Sequence, residues 1–190
     1  MNSIEKARSI SIWIFIVPFV AVNTCLLLVT QFHSLFPNQP DILHNTFPYF
    51  DGGASISRTA RPYPSWLVFK PAMFLTSYLL IKYWLLNKDI IKYFEVDHKN
   101  LKKVVFFGIA SAVALTVHSI FLGIKFDNDL YKLFRRVIML SFIVFEIIAQ
   151  AYLVATFWSF KEKLKDYINP LILNLKIILI SILIIVAVIS

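Results

Sequence analysis

Glu146, His118, Lys70 and Asn23 carry the most chemistry in this sequence, because each polar side chain lies inside a long apolar run. Gln150 follows Glu146 by four residues and shares its face if the run is helical. Thr116 and Ser119 flank His118. Counted from one common end of their runs, Lys70 lies about 5 residues in, His118 about 6, Asn23 about 9 and Glu146 about 10, or roughly 7–15 Å at ~1.5 Å per residue. Four helices would then place polar groups at similar depth. A charged side chain facing lipid is penalised by ~2.5 kcal/mol or more. Glu146 is therefore expected to pair with Lys70 or His118, or to stay protonated because burial disfavours the charged form. Each neighbour also has a plainer use. Lys70 can snorkel to the surface, Asn23 can bond between helices, and His118 can be a packing residue.

The elements that must position these groups are five apolar runs, at 10–32, 65–86, 104–124, 137–160 and 171–190. Each is close to the ~20 residues that a helix needs to cross a ~30 Å hydrocarbon core. Without water to satisfy peptide groups there, such runs must be helical. The expected fold is all-α, a polytopic transmembrane helix bundle of about five spans in one membrane domain, 1–190. The first run exceeds a signal-peptide core and has no small-x-small site after it, so it is expected to be retained. Lys176 interrupts the last run and is expected to reach the inner surface, or to mark a tilted or partnered helix.

A hydrophobic fraction of 58% and 18 phenylalanines set this chain apart from water-soluble domains. The net charge of +8 belongs to loop lysines and arginines that meet headgroups, and it does not imply nucleic acid. With the N-terminus inside, ten basic residues fall in inner segments (Lys6, Arg8, Lys88, Lys92, Lys99, Lys102, Lys103, Lys161, Lys163, Lys165). Six fall outside (Arg58, Arg61, Lys125, Lys132, Arg135, Arg136). The excess predicts an N-in, C-out orientation. The single cysteine, Cys25, cannot form an internal disulfide and reads as an apolar filler. The four histidines show no metal-ligand spacing, so neither metal nor cofactor is expected; His33, His44, Asp51 and His118 would form a site only by assumption.

The first loop, 33–64, is far longer than the others and holds five of the eight prolines. Long loops of mixed composition tend to be functional. Asp51-Gly52-Gly53 suits a turn with positive φ, and 55–59 suits an ST-turn or a short helix start. Ser55, Ser57, Arg58 and Arg61 offer hydroxyl and guanidinium groups that could hold a lipid phosphate by charge-assisted bonds. Pro48, Tyr49, Gly52, Ser55, Ile56, Ser57 and Pro64, with Pro18 in the first span, resemble the Frag1/DRAM/Sfk1 family of small polytopic membrane proteins. The resemblance covers about 150 residues, spans one to four and the first loop, although members typically have six spans. It implies a lipid-associated, non-channel protein involved in lipid-anchor remodelling, phospholipid asymmetry or membrane trafficking.

The expected function is lipid binding or organisation through the outer loop and an outer-leaflet polar cluster: Asn23, Ser55, Ser57, Arg58, Arg61, Lys70, Glu146 and Gln150. Membrane lipids are the expected partners, with a membrane protein as a further one. The alternatives are a membrane-embedded lipid-modifying enzyme working by acyl transfer or hydrolysis, with Glu146 or His118 as acid or base, and a small proton-coupled transporter using Glu146. No phosphate loop, nucleophile elbow or dinucleotide fingerprint supports a known catalytic class. The Ile/Lys/Asn/Phe-rich composition fits a bacterial inner membrane.

Overall fold

The computed structural model describes residues 2–32, 56–124, 128–165 and 167–189. Apolar runs without turn residues become helices, and the described residues hold no strand. Helix α1 runs Asn2–Thr30 and a short α2 covers Ile56–Thr59. The remaining long helices are α3 (Ser65–Phe94), α4 (Leu101–Phe121) and α5 (Asp129–Ser159). After a short α6 (Lys161–Leu164), α7 closes the chain at Pro170–Ile189. Helices α1 and α3 pack together across the long first loop, and shorter connections make neighbours of α3 and α4, α4 and α5, and α5 and α7.

Three helices are long and apolar enough to cross a membrane: α1 over Ser3–Thr30, α4, and α5. Helix α7 is apolar over the shorter stretch Pro170–Val186. Helix α3 matches them in length, but Lys70, Lys82, Lys88, Asp89 and Lys92 lower its hydropathy. The outer surface stays greasy. Only 17% of the apolar window is buried in α1 and in α5, and Phe15, Phe19, Phe106 and Leu140 point outward. A bundle whose outside is this apolar suits lipid better than water.

The interior is built on small residues of α4. Val104, Gly108, Ser111, Ala112, Leu115 and Ser119 recur at three- and four-residue steps and form its buried face. At Gly108 the indole of Trp84 from α3 lies so close that an added Cβ would sit 2.2 Å from Cδ2. Small residues allow such approach, which drives helix association where lipid removes the hydrophobic term. Polar residues of this interior bond to their own helices: Thr76 donates to Ala72 O, Ser77 to Met73 O, and Ser119 to Leu115 O.

Two boundaries depart from the sequence reading in ways that matter. Helix α3 continues past 86 to Phe94, burying Asn87, Ile90 and Ile91 on one face of a charged stretch. Helix α5 begins at Asp129, eight residues before the apolar run, where the Asn128 side chain accepts the Leu130 amide and caps the first turn. The added turns project α5 beyond the apolar run and bring Arg135 into the helix.

Candidate functional site

The predicted cluster resolves into two levels. Glu146 lies near the middle of α5, half-buried against α4. Its Oε2 is 2.7 Å from Ser111 Oγ, and its Oε1 accepts from Gln150 Nε2 at 2.9 Å. Neither Lys70 nor His118 pairs with it. The expected Glu146–Lys70 or Glu146–His118 contact is thus corrected, because Glu146 is level with Ser111, seven residues or roughly 10 Å along α4 from His118. Gln150 stands where the four-residue spacing puts it.

Ser111 sits between two acceptors, 2.8 Å from Gly108 O and 2.7 Å from the carboxyl group. A hydroxyl has one hydrogen to give. It therefore donates to the carbonyl or to the carboxyl group, one at a time. Gln150 Oε1 and the Trp84 indole nitrogen are buried without a hydrogen-bond partner among the described residues.

At the far end of α4 the second level forms. Helix α4 leaves its last carbonyls without intrahelical donors. Lys70 Nζ donates to Ile120 O at 3.3 Å, and Tyr131 Oη donates to Phe121 O at 2.9 Å. Lys70 therefore caps a helix C-terminus, where a cation is also favoured by the helix dipole. Next to it, His118 Nδ1 and Arg135 Nε are both buried without hydrogen-bond partners, and Arg135 is near enough to act on His118 electrostatically. The Arg135 guanidinium also lies 5.9 Å from the Tyr131 ring. Arg135 was counted in the sequence only as a loop charge; its place inside α5 could be seen only by extending the helix through an amphipathic start.

The other candidates scatter. Asn23 Nδ2 donates to Phe19 O within α1, and Cys25 Sγ contacts Ser65 O at 3.4 Å. Ser57 and Arg58 are in α2, and Arg61 follows it half-buried, before the cis Tyr63–Pro64 peptide. Ser55, together with His33, His44 and Asp51 of the loop, lies outside the described residues. Among the described residues no group of His, Cys, Asp and Glu could hold a metal ion.

The opposite end of the bundle holds contacts the sequence did not suggest. His98, between α3 and α4, is buried against Phe160, and Ser159 Oγ lies 3.5 Å from its Nε2. Its Nδ1 accepts the Asn100 amide at 3.2 Å, so the neutral ring carries its hydrogen on Nε2 and cannot draw a proton from Ser159. A serine nucleophile is not assembled there. Lys176 of α7 reaches Tyr83 Oη at 3.5 Å, directed toward α3. On α6, the Lys165 ammonium bonded to Glu162 holds that exposed carboxyl below the usual range.

Comparison of the chain with protein-family models, with curated proteins and with solved structures finds no match.

Proposed function

We propose that this chain is a multi-pass membrane protein that binds phospholipid headgroups at the end of the bundle where α4 finishes and α5 begins. One observation carries the reading: His118 Nδ1 and Arg135 Nε are buried near one another, and among the described residues neither atom has a hydrogen-bond partner. A phosphate oxygen between them would accept from both, with the histidine hydrogen on Nδ1. Arg135 lies six residues into α5, roughly 9 Å along its axis, which suits a side chain reaching headgroups from just inside the hydrocarbon. The Arg61 backbone lies beside Gly123, two residues past α4, which supports counting Arg58 and Arg61 with this end.

Five crossings with the N-terminus inside form part of the reading. Helix α3 packs between two membrane-length helices, which supports counting it as a span despite its lysines. The excess of basic residues at the opposite end supports the orientation. A Frag1/DRAM/Sfk1-like role in lipid organisation agrees with this reading and rests on the loop residues alone. The enzyme alternative needed Glu146 and His118 together, and they stand at different levels of the bundle.

Phosphorus content of protein purified in phosphate-free detergent measures retained phospholipid. It should fall when Arg135→Gln is combined with His118→Leu, and fall less for Arg58→Gln with Arg61→Gln. Unchanged phosphorus in the first pair would remove the site.

A further inference from the structure

We infer a second lipid site at the other end of the bundle: a groove between α5 and α7 takes one acyl chain of an anionic phospholipid whose phosphate meets Lys103 and Tyr152. This inference rests on the membrane and lipid-binding reading above, but uses none of its residues.

The groove has a volume of about 620 Å³ and is open along one side. Its walls are Val144, Ile147, Ile148, Ala151 and Ala155 of α5, with Ile184 of α7 opposite. The alanines, one turn apart, form a shallow floor between branched side chains. From Val144 to Ala155 the groove runs roughly 16 Å along the α5 axis. That is about half of a ~30 Å hydrocarbon core, the depth of a single leaflet. The length and apolar lining fit one acyl chain, and the groove lies on a helix long and apolar enough to cross the bilayer.

Its rim supplies the headgroup chemistry. Tyr152 lines the groove and is stacked near Phe107, with ring centroids 6.2 Å apart. Lys103, two residues into α4, holds its ammonium 5.1 Å from the Tyr152 ring centroid. Among the described residues the lysine makes no ion pair and the phenol makes no hydrogen bond. Tyr152 lies seven residues, roughly 10 Å, before the end of α5, so its hydroxyl falls near the base of the headgroup layer. At this end eight lysines outnumber five carboxylates over 88–103 and 161–166, a surface that favours anionic lipid.

The test is native mass spectrometry of the full chain released from nanodiscs containing equal phosphatidylglycerol and phosphatidylcholine. Retention should favour phosphatidylglycerol, and Lys103→Gln should cut that preference about fivefold, the effect of removing one interfacial charge worth ~1 kcal/mol. Ala151→Phe, which fills the groove, should lower retention of both lipids; Ala155→Leu is the milder variant if the first fails to fold. Arg135→Gln should leave the Lys103-dependent preference in place. If the preference survives Lys103→Gln and Ala155→Leu but disappears with Arg135→Gln, the groove is not a lipid site and the first site alone stands. If no variant or wild-type chain retains lipid, both readings fall.

Discussion

Replacing Glu146 by glutamine keeps every contact that the carboxyl group makes. The amide nitrogen can donate to Ser111 Oγ while the amide oxygen accepts from Gln150. Glu146→Gln is therefore expected to change unfolding stability in detergent by no more than about 0.5 kcal/mol. Glu146→Leu leaves the Gln150 amide without its acceptor and should lose about 1–3 kcal/mol. Equal stability of the two variants would mean the network holds nothing together. Glu146 and Gln150 could be read as neighbours because helical spacing is local. Ser111 could not, because an interhelical partner depends on where each helix starts, and apolar length alone misplaced the start of α5. His118 was read as a member of one polar cluster, yet its neighbour is Arg135, whose charge disguised a helical residue as part of a loop.

Helix α4 illustrates what periodicity can and cannot reveal. Its bounds were legible to within three residues, since no proline and no Lys, Arg, Asp or Glu interrupts 104–121. Its narrow face was not, because Gly108 becomes informative only when the indole of Trp84 is found against it. Gly108→Ala should destabilise the protein by about 1–3 kcal/mol through overpacking. Trp84→Phe in the same chain should recover part of that loss, and a double-mutant cycle read from thermal unfolding checks the coupling. Additive losses would mean the two residues do not share one contact. Asn128→Ala, which deletes the cap on α5, should cost about 1 kcal/mol. The α5 start was missed for the same reason that the cap matters: a charged first turn is stabilised by local bonds that a hydropathy pattern ignores.

For the molecule as a whole, the five runs announced helices, and the structure has a long helix over each, three of them fully of membrane-crossing character. Orientation is open to direct measurement. With Cys25 replaced by alanine, single cysteines at positions 53 and 97 should react with an impermeant maleimide from outside and only after permeabilisation, respectively. The reverse pattern would invert the bundle and exchange the leaflets of the two lipid sites. The loop 33–55, which supplies most of the family resemblance, lies outside the described residues, so the resemblance is tested by that loop's chemistry and not by the helices.

The Trp84 indole seated over Gly108 behaves as a pawl in a ratchet. If α3 slides along α4 by a turn the indole meets the Val104 or Ala112 side chain, and if it rolls it turns toward Phe107 or Ile109, none of which leaves the space that the glycine does. Helices α3 and α4 must then travel as one rigid plate. Compliance belongs to the rim, where α7 leans on α5 across the groove and is tied to α3 by one long Lys176–Tyr83 contact. Because α7 packs mainly on α5, a substitution that displaces α7 would alter the groove and leave the α3–α4 register untouched.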